Sequence, residues 1–250
     1  MKDKAYKILA KQKNISNNTA KDLIDQGLVF VNDKKINIAR ILIDDKTKLI
    51  IKKEKKSKLI YEDDKIIAIN KVYNQKSENL EIEFKAKLLN RLDRETSGII
   101  LLYKDEKFRQ ECIEEFKKQK VFKSYLAIVY GVLAEKTIIE EPIKTIKSKY
   151  GAFSKISHNG LYAKTIIEPL LINGKKTLIK VIISTGRTHQ IRVHSAYLNH
   201  GIIGDEKYAK IPATRMFLHS WELKIFDYNF KACLDDSFNE FGFDIKNLQL

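Results

Sequence analysis

The chain has 250 residues, 44% of them hydrophobic and 32% charged, with a formal net charge of +15 at pH 7. This length allows a substantial buried core, in one large domain with an appendage or in two modest domains. No apolar run reaches the ~18 to 20 residues that a membrane-spanning helix needs, which excludes that class of membrane protein.

The first residues indicate the cellular location, and the spacing of the cysteines indicates whether zinc is bound. The opening segment, MKDKAYKILAKQKN, has no apolar secretory core. Cys112 and Cys233 stand far apart and outside any paired Cys/His spacing typical of zinc. We therefore expect a cytoplasmic protein with reduced thiols, no membrane partner and no metal.

The positive charge is unevenly distributed. Residues 1 to 58 hold 16 Lys and Arg against 7 Asp and Glu. An AT-rich coding sequence explains part of the lysine surplus but not its concentration here. A surplus of this kind attracts a polyanion and steers its approach, so the amino-terminal segment is predicted to be an electrostatic handle.

The first predicted elements form a small helix and strand module. Ser16–Gln26 is predicted to be a helix, with Ser16 as N-cap and Gly27 ending it. Apolar runs separated by turn residues predict three strands. These strands are Leu28–Val31, Lys35–Ile38 and Lys48–Lys52.

The pattern SNNTAKDLIDQGLVFVNDKKI resembles the αL-type RNA-binding domain of ribosomal small-subunit protein S-four, over residues 1–53. The resemblance implies basic and amide side chains that contact phosphates of structured RNA. Any one of these side chains alone reads as solvated surface, but the set favours an RNA face. The candidates are Lys13, Asn17, Asn18, Lys21, Lys34 and Lys35.

A basic linker at 54–58 is predicted to separate this module from a second domain at 59–250. Strands dominate the second domain, and helical spacing occurs at Phe108, Cys112 and Phe116, then after Thr188. The expected fold class is α+β with a mixed, mainly antiparallel sheet. The apolar runs that predict strands are 66–70, 98–103, 125–130 and 178–184.

The segment NRLDRETSGIILLYK places Asp93 between Arg91 and Arg94, on a loop before an apolar strand. Flanking cations favour the ionised carboxylate that a nucleophile or electrostatic catalyst needs. Taken alone, the pattern is also that of an ordinary surface ion-pair cluster.

The same segment resembles the catalytic segment of RluA-type pseudouridine synthases, usually His-Arg-Leu-Asp followed two residues later by Thr-Ser-Gly. The resemblance implies that Asp93 is the essential aspartate and that Arg91 fills the space left by a flipped nucleotide. Asn90 stands where the family usually has His, which bears on the contacts preceding the loop.

A second segment of the same resemblance is KSYLAIVYG, a predicted strand in which Tyr125, Ala127 and Val129 share one face. By the resemblance, Tyr125 occupies the active-site tyrosine position. There its ring would stack on an extruded base, and its hydroxyl would assist proton transfer from carbon 5. An aromatic residue in an apolar strand is otherwise simply core.

The third segment is TGRTHQIRVH, followed by GIIGDEKY. The resemblance implies that Arg192 pairs with Asp93 and that Arg187 and His189 position RNA or support the site. A metal held by His189 and His194 is disfavoured, because a spacing of five fits one helical face poorly and no third ligand suggests itself. FLHSWEL resembles a terminal family segment and is interpreted as structural.

The sequence departs from the family in two further predicted loops. Val72-Tyr73-Asn74 replaces the usual Pro-Ala-Gly, and His200-Gly201 stands where His-Pro is common. We expect both changes to affect the choice of RNA more than the chemistry.

The resulting expectation is a cofactor-independent RNA pseudouridine synthase, a monomer by default. It would flip a uridine out of structured RNA, cleave its glycosidic bond with Asp93 and rejoin the base at carbon 5. Large-subunit ribosomal RNA is favoured as substrate, and transfer RNA is the other option. The alternatives are a non-catalytic RNA-binding or ribosome-assembly factor on a synthase fold, and an RNA glycosylase that releases free uracil.

Overall fold

A computed structural model of the chain describes residues 2–25, 27–32, 34–36, 38–51, 56–149 and 151–245. The chain divides into two compact units, Met1–Lys56 and Ser57–Leu250. Part of the predicted linker, residues 54 and 55, lies outside the described residues. No helix in the described part of the chain is both long enough and apolar enough to pass through a bilayer.

The described residues of the first unit form two helices and two small antiparallel sheets. β1 pairs with β4, and β2 lies between β3 and β5. Its core includes Leu9 from α1, Ile24 from α2 and Leu49. The elements are β1 (Lys2–Lys4), α1 (Ala5–Lys13), α2 (Asn17–Asp25), β2 (Val29–Val31), β3 (Lys34–Lys35), β4 (Leu42–Asp44) and β5 (Ile50–Ile51).

The helix predicted at Ser16–Gln26 is α2, and its predicted N-cap is confirmed. The Thr19 N–H donates to Ser16 Oγ at 3.0 Å, which satisfies one of the amides that a helix leaves unpaired at its start. Gly27 lies just beyond α2 with φ +69°. This left-handed conformation costs glycine little and ends the helix.

Loss of the Ser16 cap is expected to destabilise the first unit. Ser16→Ala removes the acceptor for the Thr19 amide, so the free energy of unfolding should fall by about 1 kcal/mol. Ser16→Thr keeps a hydroxyl at the same position and should retain most of the stability. Urea denaturation of the three proteins measures the difference, and equal midpoints for Ala and wild type would contradict the cap.

The described part of the second unit is built on a ten-stranded sheet. A separate two-stranded hairpin, β12 with β13, stands beside it. The elements are β6 (Lys58–Glu62), β7 (Ile66–Lys71), α3 (Ser77–Phe84), β8 (Lys87–Leu88), β9 (Ser97–Tyr103), α4 (Glu106–Lys117), β10 (Phe122–Tyr130), β11 (Thr137–Ile139), β12 (Ile143–Ser148), β13 (Gly151–Ile156), β14 (Thr165–Asn173), β15 (Lys176–Ile183), α5 (Gln190–Tyr197), β16 (Leu218–Ile225), β17 (Tyr228–Lys231) and a 3-10 helix (Asp236–Phe241). Helices α3 and α5 contribute to the core on one face of the sheet, and α4 to the core on the other.

The strands of the large sheet run in the order β11-β14-β15-β10-β16-β9-β7-β6, with β17 on β16 and β8 on β9. β9 and β16 pair in parallel, whereas the other pairs described in this sheet are antiparallel. The predicted α+β class with a mixed, mainly antiparallel sheet is therefore confirmed.

Side chains alternate between the two buried faces of the sheet. Ile67 and Ile69 of β7 pack on the face that also holds Tyr125 of β10. Ile66 and Ala68 pack on the opposite face, against α4. Because both faces are covered, the strands carry continuous apolar runs instead of an alternating pattern. The predicted catalytic segment lies on the Tyr125 face.

Candidate active site

Asp93 lies in the loop that joins β8 to β9, and its backbone is anchored on both sides. The Ser77 hydroxyl donates to the Leu92 carbonyl at 2.9 Å, and the Leu92 N–H donates back to Ser77 Oγ at 3.3 Å. The Thr96 N–H donates to the Asp93 carbonyl at 3.1 Å, which closes a turn. The carboxylate therefore projects from a fixed backbone.

A buried lysine supports the same loop from the end of β7. The Lys71 side chain has no exposed surface. Its ammonium donates to the carbonyls of Val72, Gln75 and Arg94, at 3.0, 2.9 and 3.1 Å. Burial lowers the pKa of Lys71 to about 7. Lys71 thus ties the 72–75 turn to the residue that follows Asp93.

The 72–75 turn contains one of the departures from the family pattern. Asn74 Oδ1 accepts a hydrogen bond from Arg94 Nε at 2.8 Å, and the Tyr73 ring centroid lies 4.6 Å from the Arg215 guanidinium. The turn therefore contacts the Asp93 loop. This departure from the family pattern also contributes to the support of the Asp93 loop.

Asn90, the other departure near Asp93, has a defined structural contact. Its Oδ1 accepts the Leu101 N–H at 2.7 Å, so it joins the start of the loop to the middle of β9. At the far end of the loop, Gly98 has φ +106°, and a Cβ there would lie 2.2 Å from the Ser220 carbonyl oxygen. Only glycine allows β9 to begin this close to β16.

Arg192, on α5, links Asp93 to a second carboxylate. Its Nη1 donates to Asp93 Oδ2 at 3.0 Å, so the predicted pairing is present. Its Nε and Nη2 each donate to Asp205 at 2.8 Å in a bidentate pair. The exposed fractions of the side chains are 24% for Asp93, 5% for Arg192 and 0% for Asp205. Asp93 is thus the one open to solvent.

Ion pairing outweighs burial in its effect on the pKa values of the two buried residues, Arg192 and Asp205. Burial alone would lower the pKa of Arg192, but hydrogen bonds and attraction to Asp205 and Asp93 raise it above the usual range. Burial alone would raise the pKa of Asp205, but Arg192 and the backbone amides of Lys207 and Tyr208 lower it. Arg192 therefore remains a cation beside Asp93.

His189 approaches Asp93 from the other side. Its Nε2 lies 3.8 Å from Asp93 Oδ1, and its Nδ1 lies 2.6 Å from the Tyr208 hydroxyl. The Tyr208 oxygen also accepts the Ser154 N–H at 2.9 Å. Burial lowers the pKa of His189, which opposes the attraction of Asp93 for the protonated ring. This histidine is a constituent of the Asp93 site.

Asp93 and Tyr125 line one cavity of about 110 Å³. Drug-sized ligands fill pockets of roughly 300–1,000 Å³, so this volume suits a single small ring. Burial raises the pKa of the Tyr125 hydroxyl to about 12, so it is protonated at neutral pH. The cavity is lined by Arg91, Leu92, Asp93, Thr96, Tyr125, Ile183, Gly186, Arg187, His189, Gln190, Ile191, Arg192 and Leu218.

The arginines flanking Asp93 have other partners. Arg91 pairs with Glu78 at 2.7 Å and its side chain is 73% exposed, while Arg94 donates to Asn74. The cation that contacts Asp93 is Arg192, from a distant part of the chain. The ion pair at 3.0 Å comes from Arg192, so adjacency in the sequence did not identify this counter-ion of Asp93.

Arg187 is held at the edge of the cavity by Gln190. The buried Gln190 side chain accepts the Arg187 N–H at 3.0 Å and the Thr185 hydroxyl at 2.8 Å. The Arg187 Nε donates to the Tyr162 carbonyl at 2.8 Å. Arg187 therefore projects from a rigid turn.

The FLHSWEL segment contributes Leu218 to the lining of the Asp93 cavity, and its histidine has structural contacts. His219 Nδ1 lies 2.8 Å from Ser97 Oγ, which accepts from Arg215 Nη2 at 2.6 Å. His219 Nε2 lies 3.1 Å from the Ala232 carbonyl. Burial lowers the pKa of His219 to about 4, so the ring is neutral at physiological pH. This buried chain of contacts fixes β16 against β9.

Four of the predicted RNA-binding residues of the first unit, Lys13, Asn17, Asn18 and Lys21, lie on its helices, whereas Lys34 and Lys35 form β3. Lys13 is exposed at the end of α1, and Asn17 and Asn18 are exposed at the start of α2. Lys21 lies over the Tyr6 ring, 4.7 Å from its centroid. The side chains of Lys34 and Lys35 lie outside the described residues.

His189 and His194 serve different contacts. His194 Nδ1 lies 2.8 Å from Thr165 Oγ1, and its Nε2 lies 3.0 Å from the Glu141 carbonyl. His189 instead contacts Tyr208 and approaches Asp93. In the part of the chain that the structure describes, no three His, Cys, Asp or Glu side chains converge as a metal site would require.

Sequence reasoning missed three residues of the site: Lys71, Asp205 and Tyr208. Asp205 and Tyr208 stand within GIIGDEKY, so a search for the second partner of a buried arginine would have found Asp205. Lys71 gave a weaker signal, a cation at the end of an otherwise apolar strand.

Comparison with known proteins gives one consistent result. The family model for RNA pseudouridylate synthase matches residues 47–197. An uncharacterized RNA pseudouridine synthase of Helicobacter pylori strain J99 is 46% identical over 240 residues, covering 94% of this chain and 99% of that protein. The ribosomal large subunit pseudouridine synthase C of Rickettsia bellii is 33% identical and covers 87% and 83%.

More distant matches are also named as pseudouridine or pseudouridylate synthases. The mitochondrial tRNA pseudouridine(32) synthase of Saccharomyces cerevisiae is 31% identical, over 76% of this chain and 46% of that protein. The solved structure of human RNA pseudouridylate synthase domain containing 1 superimposes with a TM-score of 0.63 at 24% identity. It covers 73% of this chain and 84% of the human chain, and it is evidence for the fold alone.

Proposed function

The chain belongs to the RNA pseudouridylate synthase family, and from that premise we propose that it converts specific uridines of large-subunit ribosomal RNA to pseudouridine, with Asp93 as the catalytic carboxylate. The observation that carries the proposal is the chain of contacts from Asp205 through Arg192 to Asp93, ending in a cavity beside Tyr125. Asp93 is its solvent-accessible end.

The reaction is an isomerisation in which no atom is gained or lost. The bond from ribose to nitrogen 1 breaks, the uracil rotates, a bond from ribose to carbon 5 forms, and the proton on carbon 5 moves to solvent while nitrogen 1 gains one. Arg192 orients the Asp93 carboxylate for the first step through its hydrogen bond to Oδ2. The carboxylate could attack the sugar, attack the base or abstract a sugar proton. Each of these three roles needs the carboxylate beside the glycosidic bond.

The target base must leave its stack before it reaches Asp93. Extrusion costs a few kcal/mol, which stacking and phosphate contacts have to offset. Tyr125 offers a ring that is fixed in the middle of β10, and Arg91 offers an exposed cation at the mouth of the cavity. We assign the first to stacking on the extruded base and the second to the gap left in the RNA.

Tyr125→Phe separates the two roles of this tyrosine. The ring is kept, so RNA affinity should be unchanged, whereas loss of the hydroxyl should lower the rate about 10²-fold if it assists proton transfer. Tyr125→Leu should lower both. Release of tritium from carbon 5 of labelled uridine, under single-turnover conditions, measures the rate. A wild-type rate for Tyr125→Phe would restrict Tyr125 to stacking.

The choice of substrate rests on the relatives and on the first unit. The Rickettsia relative is named for the large ribosomal subunit, whereas the yeast relative is named for transfer RNA. The basic residues 1–56, with Lys13 and Asn17 on the helices, supply contacts to phosphates of structured RNA and support an RNA-binding role for this unit. We favour the ribosomal substrate.

Pseudouridine mapping tests the proposal directly. Total RNA from the parent strain is compared with RNA from a deletion strain carrying wild type or Asp93→Asn. A discrete pseudouridine in large-subunit ribosomal RNA should disappear on deletion and return with wild type only. A signal in transfer RNA would change the substrate and keep the chemistry. Unchanged maps of both RNA classes would refute the proposal and favour a non-catalytic RNA-binding factor.

A further inference from the structure

A second cavity lies directly beside the Asp93 cavity, against the β12–β13 hairpin. Its volume is about 380 Å³, and we call it the hairpin cleft. Gly186 and Arg187 line both cavities, so one turn forms the wall between them. The hairpin cleft is lined by Ile143, Lys144, Thr145, Lys147, Asn159, Gly160, Leu161, Gly186, Arg187 and Thr188.

The polar lining of the hairpin cleft suits an anion. Three cations, Lys144, Lys147 and Arg187, belong to its lining, which contains no carboxylate. Within the described residues, no ion pair joins either lysine to an Asp or Glu. Lys104 and Lys164, by contrast, each form an ion pair on the same unit. Cations left unpaired around a concave surface attract phosphate groups.

The apolar part of the hairpin cleft suits a flat ring. Leu161 is 63% exposed, and it is held in place by two backbone hydrogen bonds with Ile143, both 2.9 Å long. Gly160 lies so close to Ile143 that an added Cβ would stand 2.5 Å from its backbone. The apolar surface is therefore rigid, and it lies within the same cleft as the lysines.

We infer that the hairpin cleft binds the nucleotide adjacent to the target uridine, with its phosphate against Lys144 and Lys147 and its base against Leu161. The inference rests on the proposed function, because the hairpin cleft shares Gly186 and Arg187 with the cavity that would hold the extruded uridine, which places the next nucleotide of the strand within reach of the cleft. A neighbour held in this way has to be unstacked as well. The cleft therefore selects uridines in loops over uridines in continuous helices.

The test compares two double variants of equal charge. Lys144→Ala/Lys147→Ala empties the hairpin cleft of its lysines. Lys118→Ala/Lys120→Ala removes the same charge near the end of α4, on the opposite face of the sheet. The probe is a synthetic RNA hairpin with one uridine in its loop, and binding is followed by fluorescence anisotropy over a series of salt concentrations.

The cleft variant should bind about tenfold more weakly, with a salt dependence reduced by about two phosphate contacts, and the control should match wild type within about twofold. A methylphosphonate on one side of the uridine should weaken wild type and leave the cleft variant unaffected. Equal affinities of the two double variants, or equal losses of wild type and cleft variant at every methylphosphonate, would overturn the inference.

Turnover of the loop uridine is scored separately from binding. Selective loss of affinity in the cleft variant, combined with no turnover by wild type, supports the hairpin cleft as an RNA site and counts against the proposed function. Turnover by wild type with no selective loss in the cleft variant supports the function and overturns the hairpin cleft.

Discussion

Asp93→Asn is expected to abolish pseudouridine formation while leaving the fold and the affinity for RNA intact. Asn has the size of Asp and still accepts a hydrogen bond from Arg192, whose guanidinium keeps its bidentate pair with Asp205. What disappears is the negative charge at the mouth of the cavity. Because every candidate role of Asp93 needs an ionised carboxylate, the single-turnover rate should fall by about 10³-fold or more.

The matched control for Asp93→Asn is Glu95→Gln, two residues further along the same loop. Glu95 is half exposed and its carboxylate lies 3.9 Å from Arg192 Nη1, against 3.0 Å for Asp93. The control makes the same chemical change at the edge of the site and should stay within about threefold of wild type. A normal rate for Asp93→Asn would refute the assignment of Asp93 as the catalytic carboxylate. Equal losses of rate in both variants would mean that the net charge of the loop, and not Asp93 itself, determines the rate.

Local sequence signals predicted the elements whose causes are local. The Ser16 cap, the stop at Gly27 and the spacing of Phe108 and Cys112 all depend on residues a few positions apart. The helix α1 was not predicted, because its four buried residues stand within a lysine-rich segment. In that segment the packing of Leu9 into the unit's core, and not charge, decides the structure.

Residues of the candidate site were predicted where the family resemblance named them. They were missed where contacts between distant parts of the chain determine which residues join the site. Asp93 and Arg192 were paired by resemblance across 99 residues, a contact that no local pattern reveals. Asp205 and Lys71 were missed because their partners, the Arg192 guanidinium and three backbone carbonyls, are brought to them only by the fold. Gly98 was named by the motif, but the physical need for glycine there is visible only in the structure, where β16 passes too close to β9 for a Cβ.

Asp205→Asn is expected to lower both stability and activity. Asp205 is fully buried and holds two of the three described hydrogen bonds of the Arg192 guanidinium. The neutral amide leaves the buried Arg192 cation with one close anionic partner, the partly exposed Asp93, which should cost about 3–5 kcal/mol in the free energy of unfolding. Arg192 would also lose the contact that orients it toward Asp93, so kcat should fall in the protein that remains folded.

The pH dependence of this loss distinguishes charge pairing from packing. The folded-state pKa of Asp205 is lowered, so its carboxylate stabilises the fold above its unfolded-state pKa, and this contribution is lost as the pH falls through the folded value. The gap in unfolding free energy between wild type and Asp205→Asn should therefore be full at pH 7 and shrink below about pH 4. Urea denaturation at pH 7, 5 and 3 measures it, with Asp64→Asn on an exposed turn as a control expected within about 0.5 kcal/mol of wild type. A gap that stays constant with pH would mean that Asp205 acts by shape, and that the ion pair with Arg192 does not stabilise the site.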